Sequence, residues 1–126
     1  MKVFLSAPNA DNESINVELA QKILEKKGFD VYSSFEINTE KDSDIIYEYI
    51  DDCNIIVALY YGAISDANVA YTCGYAYAKD KFIVIVNMSN DPTDSMVSYC
   101  YDRKLQGLAG LLDYDFNSNC PGSDFY

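Results

Sequence analysis

Hydrophobic residues along this chain fall into two spacings, and the two spacings alternate. Lys2–Ser6, Asn54–Tyr60 and Phe82–Val86 carry short apolar runs rich in Ile and Val, without a polar residue at every second position. Runs of that kind suit strands covered on both faces, as in a parallel sheet. Phe29–Ser33 reads as a further short strand. Between the strands the spacing becomes helical. Ile15, Leu19, Ala20, Ile23 and Leu24 mark a first helix over Ser14–Lys27, with Lys26 and Lys27 in its last turn and Gly28 as its stop. Ile45, Ile46, Tyr49 and Ile50 mark a second, which Asp42 or Ser43 can cap. A third, Ala67–Lys79, contains no proline, and its small residues Ala70, Cys73, Gly74 and Ala78 permit close packing on a sheet.

Strand alternating with helix predicts one α/β domain over residues 1–126, a flavodoxin-like parallel sheet of about five strands with right-handed crossovers. Such sheets bind ligands at the carboxyl ends of their strands. Two loops fall there: Ala7-Pro8-Asn9, where proline stops the first strand, and Tyr60–Ala67 after the third. Asp66 sits where a carboxylate would cap the third helix and face its dipole, or contact a ligand, or both. Pro8 and Asn9 line a pocket on one reading and merely end a strand on the other. Past Asn87–Thr93 the pattern weakens. A fourth helix is expected from Asp94 or Ser95 to about Arg103, and Gly107 and Gly110 blur the pattern beyond it. The segment 113–126 is polar and aromatic, with Phe116, Phe125 and Tyr126, and cannot form a core of its own. It is expected to dock, contributing to a neighbouring subunit's site in a homo-oligomer.

Composition narrows the chemistry. With 9 basic and 20 acidic residues the formal charge is −11, so the surface repels phosphate backbones and anionic lipid, and neither nucleic acid nor membrane is an expected partner. Histidine is absent, which removes Ser-His-Asp and Cys-His catalysis and histidine-based metal sites. Acid–base work falls to carboxylates, tyrosine, lysine or cysteine. Cys53, Cys73, Cys100 and Cys120 form no Cys-x-x-Cys pair, so no metal or thioredoxin-like centre is expected. Cys73 has no histidine and little positive charge nearby to lower its pKa, and reads as a packing residue. The start, MKVFLSAP, is too short in its apolar run for a signal peptide, and no segment reaches membrane-span length. A cytoplasmic protein with reduced thiols is expected.

Three stretches resemble the nucleoside 2-deoxyribosyltransferases and related nucleotide N-glycoside hydrolases. KVFLSAP is similar to the family's opening strand and turn. CNIIVALYYGAISDANVAYTCGYAYAKDKFIVIV is similar to its Cys-Asp, strand, Asp-x-Gly-Thr-x-x-Glu-x-Gly-Tyr-Ala, strand run. DSMVSYC and the terminal LLDYDFNSNCPGSDFY resemble its Asn-x-Met segment and aromatic tail. The resemblance implies a nucleoside ligand, no cofactor, and cleavage of the deoxyribose–base bond through a covalent glutamyl intermediate, the logic of a retaining glycosidase.

Carried across residue by residue, it places Asp66 on the aspartate that contacts and protonates the base. Gly74-Tyr75-Ala76 in register puts Thr72 on the nucleophilic glutamate, Ile46 on a helical aspartate, and Asp94 on the asparagine that holds the sugar 5′-hydroxyl. Phe4, Ala7, Pro8, Asn9, Met96 and Tyr126 are the further substrate-binding positions it implies. A threonine needs a base to become nucleophilic, and no histidine supplies one. Two classes therefore stand side by side: a diverged enzyme transferring 2-deoxyribose or hydrolysing an N-glycoside, and a non-catalytic nucleoside sensor, sponge or inactive subunit of a hetero-oligomer. Arg103 is the chain's one arginine, so nucleosides are expected to bind better than their monophosphates.

Overall fold

The computed structural model describes residues 1–7, 14–33, 43–60, 67–88 and 101–116. Five strands, β1 (Lys2–Ser6), β2 (Asp30–Ser33), β3 (Ile55–Tyr60), β4 (Phe82–Asn87) and β5 (Arg103–Gln106), form one sheet in the order β2-β1-β3-β4-β5. Every neighbouring pair is parallel. The helices are α1 (Ser14–Lys26), α2 (Ser43–Asp52), α3 (Ala67–Ala78) and α4 (Gly107–Asp113). The expected flavodoxin-like architecture is the observed one.

β3 and β4 lie at the centre, and all their residues are buried, which is why their sequences run apolar without alternation. Successive side chains still point to opposite faces. Val3, Leu5, Ile55, Val57, Leu59, Val84 and Val86 meet α1 and α4, while Phe4, Ile56, Ala58, Tyr60, Ile83 and Ile85 meet α2 and α3. Each large aliphatic side chain buried this way contributes roughly 1.5–3 kcal/mol over leaving it exposed. The two layers on the central strands therefore hold most of the hydrophobic stabilisation.

Local signals explain how the helices stop. After α1, Gly28 takes φ 95°, its N–H donates to the Glu25 carbonyl at 3.0 Å, and the Phe29 N–H donates to the Leu24 carbonyl at 3.2 Å. That reciprocal pair is a Schellman cap. α3 ends the same way around Asp80, whose φ is 58°: its N–H donates to the Tyr77 carbonyl and the Lys81 N–H to the Ala76 carbonyl. Asp80 holds a conformation that glycine adopts more cheaply.

The burial within helices differs from the expected stripes. α1 buries Val17, Ala20 and Leu24, whereas Ile15 is 69% exposed and Leu19 45%. Residues 17, 20 and 24 share one face at the 3–4 spacing, which turns Ile15 and Leu19 outward. In α3 the buried residues are Val69, Thr72, Cys73 and Ala76; Gly74 is half-buried and Ala78 exposed. The side chain of Ala70 lies outside the described residues.

Of the helix expected from Asp94 or Ser95 to about Arg103, residues 94–100 lie outside the described residues, and Arg103 itself opens β5. An edge strand with one apolar residue, Leu105, leaves too little pattern to be read as a strand. α4 then starts at Gly107 (φ 67°), and a Cβ on Gly110 would stand 3.4 Å from the Leu105 Cβ, so glycine lets the helix approach β5. Past α4, Phe116 is buried and meets Phe29 edge-on at 5.2 Å and Tyr114 at 4.7 Å. The beginning of the tail thus packs on its own chain, and 117–126 lie outside the described residues.

Candidate functional site

In this strand order the chain leaves β1 through α1 on one face and leaves β3 through α3 on the other. The carboxyl ends of two adjacent strands therefore feed helices that diverge, which opens the crevice where such sheets bind ligands. The polar residues follow that geometry. Among the described residues the buried polar ones are Ser6, Ser33, Thr72 and Asn87. Ser6, Ser33 and Asn87 are the last residues of β1, β2 and β4, and Thr72 lies in the first half of α3. Register sets Leu5 beside Ser33, Ser6 beside Ala58, and Tyr60 beside Asn87.

Backbone pairing fixes this edge. The Met88 N–H donates to the Tyr60 carbonyl at 2.7 Å, and Gln106 Nε2 donates to the Asn87 carbonyl at 3.2 Å. Ser6, Thr72 and Asn87 share the α2–α3 face and Ser33 faces the other side, so the buried polar side chains described on the α2–α3 face are two hydroxyls and one carboxamide, all neutral. Groups of that kind donate and accept at low desolvation cost and suit sugar hydroxyls and base edges.

The expected site residues divide three ways. Ala7 is buried beside Ser6 at the carboxyl end of β1, and Thr72 lies on α3, which packs across β1, β3 and β4. Those two share one end of the sheet. Phe4 sits deeper, fully buried in mid-β1 between Tyr32 and Ile56 of the adjacent strands. Pro8, Asn9, Asp66, Asp94, Met96 and Tyr126 lie outside the described residues. Ser33 and Asn87 are not among the residues expected from sequence, although a signal exists: KVFLS, DVYS and FIVIVN each end an apolar run on a polar residue.

The amino edge is built from charge. Lys2 Nζ and Asp52 Oδ2 are 2.7 Å apart, and this pairing raises the Lys2 pKa and lowers that of Asp52. The Tyr75 hydroxyl donates to the Asp51 carboxylate at 3.0 Å, Lys81 Nζ donates to the Asp51 carbonyl at 3.0 Å, and the Ile83 N–H donates to Asp102 Oδ2 at 2.9 Å. Cys53 is buried just before β3, and burial pushes its thiol from the ordinary 9.0 up to about 12, so it is a packing group rather than a nucleophile. Cys73 is likewise buried with a free thiol. Among the described residues no three His, Cys, Asp or Glu side chains converge to hold a metal ion, and no helix is long and apolar enough to cross a membrane.

Comparison of the coordinates with solved structures agrees with this layout. A 2-deoxyribosyltransferase from Bacillus psychrosaccharolyticus superposes with a TM-score of 0.78 at 20% identity, covering 94% of this chain and 95% of that one. The chain has a 2-deoxyribosyltransferase-like fold. A Clostridium botulinum CMP N-glycosidase gives a TM-score of 0.67 at 19% identity, covering 89% of this chain and 96% of that one. A conserved protein from Enterococcus faecalis gives 0.71 at 18% identity, over 90% of this chain and 95% of its own. No protein-family model and no curated protein matches the sequence.

Proposed function

We propose that this protein binds a nucleoside at the carboxyl edge of its sheet and does not carry out efficient deoxyribosyl transfer. The observation that carries the reading is the buried, uncharged polar group Ser6, Thr72 and Asn87 on the α2–α3 face at the carboxyl end of the sheet, in a 2-deoxyribosyltransferase-like fold. Thr72 is the residue that the sequence resemblance aligns with the nucleophilic glutamate. A hydroxyl without a base does not attack an anomeric carbon at a useful rate, and loss of a covalent nucleophile costs several orders of magnitude in turnover. The neutral lining favours nucleosides over their monophosphates, since Ser6, Thr72 and Asn87, its described members, include no lysine or arginine.

A second reading keeps chemistry in place, with Asp66 activating water to hydrolyse the N-glycosidic bond. The likeness to a CMP N-glycosidase fold favours it. One experiment separates the two. The chain is incubated with a deoxynucleoside and a second free base, products are resolved by chromatography, and binding is measured by calorimetry. Saturable nucleoside binding without base exchange or sugar release is expected, with exchange appearing in Thr72→Glu. Sugar release that disappears in Asp66→Ala would establish the hydrolytic reading instead. Absence of nucleoside binding would sink both.

A further inference from the structure

A cavity lined by described residues lies away from the carboxyl edge. It lies at the opposite end of the sheet, holds about 600 Å3, and is lined by Lys27, Phe29, Asn54, Asp113, Tyr114 and Phe116 among others. Four separate segments converge on it: the start of the chain before β1, the α1–β2 turn, the approach to β3, and the chain leaving α4. The volume is that of a small-molecule site. No part of it belongs to the nucleoside site proposed above.

Its chemistry is specific. Phe29, Phe116 and Tyr114 form a run of edge-to-face rings, at 5.2 and 4.7 Å, so a planar guest meets the face of one ring and the edge of its neighbour. Lys27 Nζ donates to the Leu112 and Tyr114 carbonyls, each at 2.9 Å, and stands 6.0 Å from the centre of the Phe116 ring. An ammonium has three N–H groups, so two are committed and the third remains for a guest acceptor. The exposed carboxylate of Asp113 and the exposed carboxamide of Asn54 accept from N–H groups on the same guest. A simple anion would meet Asp113 and Asp115 on a chain of net charge −11, and a simple cation would meet Lys27.

The geometry points to a second binding site at the amino edge, for a neutral planar heteroaromatic molecule that carries a ring carbonyl beside a ring N–H. The carbonyl takes the third Lys27 N–H, the ring lies against Phe29 and Phe116, and the ring N–H faces Asp113 or Asn54. Free nucleobases and larger fused lactam rings share this chemistry.

Amide chemical-shift mapping on the full chain tests the site, because it reports which end of the sheet responds. Hypoxanthine represents the free bases, lumichrome the larger fused rings, and benzoate is the control with an aromatic ring but no ring N–H. Saturable shifts at Gly28, Phe29, Asn54, Tyr114 and Phe116 are expected for hypoxanthine or lumichrome and not for benzoate, and whichever binds tighter names the source. Lys27→Met is expected to weaken binding at least about tenfold, the loss of one charge-assisted hydrogen bond. Because Lys27 also holds the end of α4, Asn54→Ala is the companion variant at an exposed position, expected to weaken binding several-fold with the fold intact. Shifts confined to Ser6, Thr72 and Asn87, equal shifts with benzoate, or no shifts at all would overturn the proposal. Nucleoside binding at the carboxyl edge is read separately, with a nucleoside and calorimetry, so loss of the amino-edge site leaves that reading standing.

Discussion

The two ends of the sheet are made of different material. At the amino edge, carboxylates and ammonium groups tie strands to helices: Lys2 to Asp52, Tyr75 to Asp51, Asp102 to the backbone of Ile83, and Lys27 to the last carbonyls around α4. At the carboxyl edge the buried polar groups among the described residues are uncharged, and they end β1, β2 and β4 or lie on α3. Charged ties at an exposed edge cost little desolvation, whereas buried carboxylates would have to be matched or neutralised. On the nucleoside-binding reading, the described hydroxyls and carboxamide meet a neutral guest without that cost, while the ion pairs of the amino edge serve as scaffold.

The comparison breaks first at the amino edge. Phe116→Ala empties a buried site bounded by Phe29 and Tyr114 and is expected to cost about 3–5 kcal/mol in urea unfolding, close to the whole stability of a marginal domain. Nearly as large is the effect of alkali through Cys53. Its thiol ionises near 9.0 in the unfolded chain and near 12 in the fold, so stability is fully present below pH 9 and is lost as pH rises toward 12. At about 1.4 kcal/mol per pKa unit the loss reaches roughly 4 kcal/mol, and Cys53→Ala is expected to flatten this part of the pH–stability curve. A curve of unchanged slope in the variant would assign the alkaline loss elsewhere.

Smaller effects sharpen the contrast. Thr72→Val removes a hydroxyl from the carboxyl edge and keeps the volume, so the unfolding free energy should move by less than about 1 kcal/mol while nucleoside affinity falls. A large loss of stability with affinity kept would mean that this hydroxyl is structural. Asp80→Gly relieves a left-handed residue at the end of α3 and is expected to stabilise by about 0.5–1 kcal/mol, with no change in binding at the far edge.

Most of the fold is legible in the chain because its central strands are buried on both faces, and such strands cannot hide: β3 and β4 are unbroken apolar runs. β5 is not legible. Its sequence, RKLQ, belongs to a half-covered edge strand, and it opens on a basic residue that equally well ends a helix. α4 is obscured by Gly107 and Gly110, which mark a left-handed turn and a close approach to Leu105, features that exist only in three dimensions. In α3 a face built of small residues has little amphipathic contrast, so Ala78 lies exposed against expectation while Cys73 is buried as expected. Of the site, Ala7 and Thr72 come from the family resemblance. Ser33 and Asn87 carry no motif beyond a polar residue ending an apolar run, and strand order is what sets those ends at one edge of the sheet.

The last strand has a consequence for how copies of this chain meet one another. Among the described strands β5 ends one side of the sheet, and an edge of backbone groups is a template on which further chains can add. Here the rim is only Arg103–Gln106, its side chains are mostly exposed, and it bears the sole arginine of an acidic chain next to Lys104. A second copy approaching rim to rim would bring two pairs of like charges together and find four residues to pair with. Filament growth from that rim is thereby discouraged, and the basic residues that a −11 chain can least spare are stationed where self-recognition would otherwise begin.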